Sequence, residues 1–298
     1  MVFRAQSGGM PSLRLADGRD LELLVTGPHD GVPLIYHHGT PGAVTPPARL
    51  AQAANRHGLR LVTMSRAGYG RSTRHPGRDV AAVASDVAAV LDYVGARRCV
   101  TAGWSGGGPH ALATGALLPD RVAGVLVIAG VAPYHAAGLD FLHGMGADNI
   151  AEFGAARSGE TALRTLLEGI APALQTVTAG ALVSEMGSLL PEVDRAMLTD
   201  EFGDELVRSF REALAAGVDG WLDDDLAFVR PWGFDVGALS VPSFIWQGGQ
   251  DLMVPPAHGT WLAANVPGAE ARLLPDEGHL SIVVGKVDDM VAELASML

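Results

Sequence analysis

Ser105 stands in the run Gly103-Trp104-Ser105-Gly106-Gly107, a G-x-S-x-G pattern. The run directly follows an apolar stretch, Cys99 to Trp104, and opens a segment with helical character, Gly107 to Leu118. A serine on so tight a strand-to-helix turn has its hydroxyl lifted above the sheet. The helix N-terminus behind it offers free N–H groups and a positive dipole end to a developing oxyanion. Pro109 falls in the first helical turn, where a missing N–H costs little. Without the flanking strand and helix, the same five residues would be a small-residue connection holding an incidental serine.

A serine hydroxyl is a poor nucleophile near neutral pH and needs an adjacent base. For a G-x-S-x-G serine on a strand-to-helix turn of this kind, the partners follow at the carboxyl ends of late strands, acid before histidine. The run Val241 to Trp246 is followed by Gln247-Gly248-Gly249-Gln250-Asp251, and Ala271 to Leu274 by Pro275-Asp276-Glu277-Gly278-His279. His279 is therefore the expected base and Asp251 the acid that orients it. Asp276 is a rival, but three residues inside a tight loop seldom bring a carboxylate to the correct ring nitrogen. Of the ten histidines, His258 reads as an exposed helix-start residue, His110 as packed beneath Ser105, and His29, His57 and His75 as solvated loop residues.

Two backbone donors must converge on the carbonyl oxygen under attack. Gly106 N–H follows the nucleophile, and Thr40 N–H lies in His37-His38-Gly39-Thr40-Pro41-Gly42 after the apolar run Val32 to His37. His38 reads as a structural residue bonding loop backbone. Neighbouring residues in a strand face opposite sides, so His37 and His38 make no metal site. With no H-E-x-x-H and no cysteine cluster, no metal and no cofactor is expected.

The elements that must position these residues follow from hydrophobic periodicity. Strands are predicted at Ser12–Ala16 and Leu21–Thr26, joined by an Asp17-Gly18 turn, then at Val32–His37, Leu59–Met64, Cys99–Trp104, Val122–Ala129, Val241–Trp246 and Ala271–Leu274. Helices fall between them at about Pro47–His57, Asp79–Val94, Gly107–Leu118 and His258–Asn265, with a last one from Ser281. Such alternation implies an α/β fold, a mostly parallel twisted sheet with helices on both faces. From Tyr134 to Trp232 the alternation stops. Phe202, Leu206, Phe210 and Leu214 recur every four residues behind a Thr199-Asp200 capping pair. Residues 1–133 and 233–298 are accordingly assigned to the α/β core, and residues 134–232 to a helical cap inserted into it.

The composition excludes other classes. A net charge of −12 argues against nucleic acid and anionic membranes. One cysteine, Cys99, allows no internal disulfide. The residues Met1 to Gly9 hold no apolar h-region, and the longest apolar run, Val122 to Pro133, is too short to cross a bilayer, so the cytoplasm is the expected compartment. Lys286 is the only lysine, which removes P-loop and Ser-x-x-Lys chemistry. The expected partner is a small molecule, and nothing in the sequence sets an oligomeric state.

Taken together, His38 to Gly42, Ser65-Arg66-Ala67-Gly68-Tyr69-Gly70-Arg71-Ser72, Gly103 to Gly107, Asp251 and His279 resemble the α/β-hydrolase superfamily. The first two segments are similar to the branch of proline iminopeptidase-like enzymes and lidded esterases. The resemblance implies a cofactor-free hydrolase with a helical lid. Two departures stand out: Ser65 replaces the aspartate usual before that arginine, and Trp104 precedes the serine where iminopeptidases carry tryptophan after it. The expected activity is hydrolysis of an ester or related acyl bond in a small, largely apolar molecule. Aminopeptidase, lactonase, C–C bond hydrolase and cofactor-free haloperoxidase remain alternatives on the same triad, and a ligand sensor is the non-enzymatic one. Trp104, Phe141 and Met145 are expected to line the substrate pocket, and Asp223-Asp224-Asp225 to form a solvated face or helix cap.

Overall fold

The computed structural model describes residues 12–198 and 200–298. Strand β1 (Ser12–Arg14) turns back through Gly18, whose φ of +89° suits glycine, into β2 (Asp20–Thr26). There follow β3 (Pro33–His37), α1 (Ala48–Arg56), β4 (Arg60–Met64), α2 (Val83–Tyr93), β5 (Cys99–Trp104), α3 (Gly107–Leu117) and β6 (Val122–Ile128). Helices α4 (Ala147–Ser158), α5 (Glu160–Thr176), α6 (Leu182–Glu185), α7 (Glu192–Arg195), α8 (Asp200–Ala213) and α9 (Asp219–Phe228) come next. The chain closes with β7 (Ser243–Gly248), α10 (Pro256–Asn265), β8 (Glu270–Leu274) and α11 (Ser281–Ala295).

The strands form one eight-stranded sheet in the order β1-β2-β4-β3-β5-β6-β7-β8, parallel except for the β1–β2 and β2–β4 pairs. This is the mostly parallel α/β sheet anticipated from the alternation, and the α/β-hydrolase fold that the resemblance implies. Register decides where chemistry can occur: His37 lies beside Gly103, Trp104 beside Ile128, Ile128 beside Trp246 and Gly248 beside Leu274. Strands β3, β5, β6, β7 and β8 therefore end along one edge, and the loops leaving them meet there.

Period-two burial fills both faces. Ile35, Val125, Val127 and Ile245 pack with α2 and α3 on one side. Leu34, Leu126, Ile128 and Phe244 pack with α1 and α11 on the other. Between β6 and β7 the chain is helical. Leu163, Leu167, Trp221 and Leu222 bind α5 to α9, while Phe202, Leu206 and Phe210 of α8 pack against Leu280 and Met253 of the late loops. Thr199, the first residue of the capping pair expected for α8, lies outside the described residues. Among the described residues, no helix is long and apolar enough to cross a membrane.

Candidate active site

Ser105 adopts φ +55°, a left-handed conformation that a non-glycine residue holds only when its surroundings over-determine it. The surroundings do so. Ser105 N–H donates to Ile128 O at 2.9 Å, and Ser105 O accepts from Gly108 N–H at 2.9 Å. A Cβ at Gly103 would lie 2.1 Å from Gly107 O, and one at Gly107 would lie 2.1 Å from His37 O. Only glycine at both positions lets strand, turn and helix pack this closely.

His279 is buried and faces the same cavity as Ser105. Its Nδ1 lies 2.7 Å from Asp251 Oδ2. Asp251 is fixed in turn: Oδ1 accepts from Met253 N–H and Val254 N–H, both at 2.8 Å, and Oδ2 accepts from Gln247 Nε2 at 3.2 Å. Asp276 is exposed and makes no hydrogen bond to His279. Burial works to lower the His279 pKa, but the charge and hydrogen bond of Asp251, aided by Asp194, outweigh it and raise it above the ordinary value. With Nδ1 engaged by the carboxylate, the other nitrogen, Nε2, is left without a partner among the described residues. Ser105 Oγ makes no hydrogen bond to any described residue; such contacts are commonly loose until substrate binds.

Thr40 and Gly106 are adjacent across the turn, since a Cβ on Gly106 would meet Thr40 Oγ1 at 2.3 Å. Neither backbone N–H has an acceptor among the described residues. The loop holding Thr40 is rigidly tied. His38 Nδ1–H donates to Gly39 O at 2.7 Å, leaving Nε2 to accept from Arg66 N–H at 3.1 Å. Burial, with Arg66 nearby, pushes the His38 pKa well down, so this ring is neutral and structural. Arg66 Nη2 donates to Gly39 O at 3.2 Å and to Thr40 Oγ1 at 3.1 Å, and the Thr40 hydroxyl donates to Asp224 Oδ2 at 2.7 Å.

Above Ser105 lies a cavity of about 560 Å³. Its walls carry Trp104, Met186, Leu189, Phe202, Leu206, Trp221 and Met253, with Asp148, Glu152, Glu205 and Arg208 among the polar groups. Trp104 lines the cavity, and its Nε1–H donates to His279 O at 3.3 Å.

Phe141 and Met145 do not line the cavity. Both are buried in the main core, and Phe141 stacks edge-on against Phe153 and His258 at centroid distances of 4.9 and 4.8 Å. The segment after β6 first runs along the core before it rises over Ser105, so its early apolar residues are spent on packing. His258, expected exposed, is fully buried: Nδ1 accepts from Ala132 N–H at 3.1 Å and Nε2–H donates to Phe141 O at 2.9 Å. Burial lowers its pKa to about 4.

The Asp223-Asp224-Asp225 run is also buried, contrary to its reading as a solvated face. Asp223 takes a two-point contact from Arg74 at 2.8 Å for each bond. Asp224 accepts from Arg66, from Arg78 at 2.6 Å, from Tyr69 at 2.9 Å and from Thr40. Burial alone would raise the Asp224 pKa, yet Arg66 and Arg78 hold it well below the usual carboxylate range. Among the described residues Asp225 has no cation in contact; burial and the neighbouring Glu152 push its pKa well up, which keeps it neutral. The arginines that absorb Asp223 and Asp224 come from the loop after β4, about 150 positions away. Only the positive residues of that loop hinted at a partner.

Residues 32–175 match a protein family described as "alpha/beta hydrolase fold". The chain is 32% identical over 126 residues to the non-heme chloroperoxidase of Streptomyces lividans, covering 42% of this chain and 46% of that one. It is 35% identical over 119 residues to the bifunctional esterase/perhydrolase DCH of Acinetobacter calcoaceticus, covering 39% and 43%. These matches span less than half the length of either curated relative. Among solved structures, a hydrolase from Pseudomonas aeruginosa PA01 has a TM-score of 0.70 at 19% identity, over 97% of this chain and 99% of the other.

Proposed function

Because residues 32–175 match the alpha/beta hydrolase fold family and the whole chain takes that fold, we propose that it is a serine hydrolase that opens an ester or related acyl bond of a small, largely apolar molecule. One observation carries the reading. His279, bonded to Asp251 behind it, borders the same cavity as the strained Ser105 and Thr40.

In this reading Ser105 Oγ attacks the acyl carbon while His279 Nε2 takes its proton. The oxyanion is held by Thr40 N–H and Gly106 N–H. His279 then protonates the departing alkoxide as the C–O bond breaks, leaving an acyl-serine. Water, deprotonated by the same ring, attacks that ester, and Ser105 regains its proton. Asp251 keeps the ring in the tautomer with Nε2 free and stabilises the imidazolium. Helices α4 to α9 act as the cap, and a cavity of about 560 Å³ whose wall includes methionine, leucine and aromatic side chains suits a small apolar acyl group.

The likeness to proteins named chloroperoxidase and esterase/perhydrolase favours one second reading, in which hydrogen peroxide replaces water at the acyl-serine and a peracid leaves. Fluorophosphonate labelling of parent and Ser105→Ala protein tests the first reading. Turnover of a p-nitrophenyl ester series, with and without peroxide, separates the two. Labelling of the parent alone, with ester turnover, is expected. Equal labelling of both proteins, or stoichiometric ligand retention without turnover, would sink the proposal.

A further inference from the structure

His279 is held by two aspartates, and only one of them touches its ring. Asp194 lies in α7, within the helical insertion, and is fully buried. Its Oδ2 accepts from His279 N–H at 2.8 Å. Its Oδ1 accepts from Leu280 N–H at 3.0 Å and Ser281 N–H at 2.9 Å. The preceding amide, Gly278 N–H, is satisfied by Ser281 Oγ at 2.8 Å. The Leu280 and Ser281 amides open α11, a helix with no side-chain cap at Leu280. An acidic residue 85 to 87 positions upstream supplies the cap instead.

The fit is close on both sides. A Cβ at Gly278 would lie 2.4 Å from Asp194 Oδ1, so glycine is needed there for the carboxylate to reach the amides. Leu280 packs into an apolar cluster with Leu182, Leu190, Phe202 and Phe210 of the insertion. The loop bearing His279 is therefore fastened to the insertion by three charge-assisted hydrogen bonds and by a buried leucine.

We propose that Asp194 is a positioning residue for His279: the insertion sets the backbone of the base, while Asp251 sets its ring. The inference rests on the serine-hydrolase reading above. The charged groups facing the imidazole are Asp251, from the loop after β7, and Asp194, from α7. Both favour the imidazolium, so Asp194 adds charge stabilisation at the step when His279 holds the serine proton.

The test uses the full chain and the rate of Ser105 modification by a fluorophosphonate, which needs no knowledge of the natural substrate. Asp194→Asn removes the charge at nearly constant shape. Its modification rate should fall about 10- to 100-fold, as expected for a small misplacement of a reacting group. The acid limb of its rate–pH profile should move to lower pH. Gly278→Ala, which leaves the carboxylate in place and crowds it off the amides, should slow modification in the same direction. A parent that is not labelled, or labels as Ser105→Ala does, removes the hydrolase reading itself. A labelled parent with unchanged rate and pH midpoint in a folded Asp194→Asn, whatever its thermal stability, overturns the positioning role. So does failure of both variants to fold, which would make Asp194 a folding element only.

Discussion

Replacing Asp224 with asparagine isolates the buried charge cluster beneath the Thr40 loop. The carboxylate is fully buried, and both guanidiniums that contact it, Arg66 and Arg78, are at most 5% exposed. Asparagine keeps the shape and one acceptor oxygen but leaves two buried cations without a counter-charge. Breaking a buried pair from one side costs about 3–5 kcal/mol. One pair's range is used because the two arginines share one carboxylate and their effects do not add. For a chain of 298 residues, with an unfolding entropy of about 2.1 cal/mol/K per residue, that corresponds to a fall in melting temperature of roughly 5–8 °C. Because the Asp224 pKa is depressed in the fold, its contribution is fully present above the ordinary carboxylate range, near about 4. It is lost only as pH drops below that range through the folded value. Denaturant unfolding at neutral pH, with Asp288→Asn in the exposed Arg56 pair as control, measures the difference. A loss below about 1 kcal/mol, as for surface pairs, would refute the picture of a dry, closed cluster.

Three further outcomes are expected. Asp251→Asn should lower turnover by about 10³- to 10⁴-fold by disturbing the His279 tautomer, while Asp276→Asn leaves it unchanged; steady-state kinetics on one p-nitrophenyl ester decides between them. Activity should fall as pH drops through the His279 pKa, and because that value is raised, the limb should lie above the ordinary histidine value of about 6.5. A kcat/KM–pH profile with its midpoint below that value would contradict the Asp251 coupling. Phe141→Ala should cost about 3–5 kcal/mol in stability through an unfilled core site, and leave relative rates across an ester series unaltered. A changed chain-length preference would return Phe141 to the pocket wall.

Strand boundaries were legible to within one or two residues at most positions because burial on both faces demands continuous apolar runs. Cys99–Trp104 coincides with β5 at both ends. The glycines around Ser105 were legible for a local reason: Gly103 and Gly107 meet backbone atoms of the adjoining turn and strand. The pocket wall was harder. Phe141 and Phe202 are both large apolar residues between β6 and β7, yet Phe141 packs in the core and Phe202 borders the cavity. Nothing in their immediate neighbours distinguishes them, because the difference is which side of the insertion turns toward Ser105.

What the sequence determined alone was the alternation of strand and helix, hence a parallel sheet, and with it the delivery of Ser105, Asp251 and His279 to the ends of strands. These follow from periodicity and chain order, which are local. What only the tertiary structure decided was the fate of charges and of irregular segments. Asp224 reads as solvated until Arg66 and Arg78 are brought to it, and Asp194 reads as an unremarkable acid until the amides of His279, Leu280 and Ser281 close on it. A charge enters the interior only where partners compensate its lost hydration, and those partners lie far away along the chain.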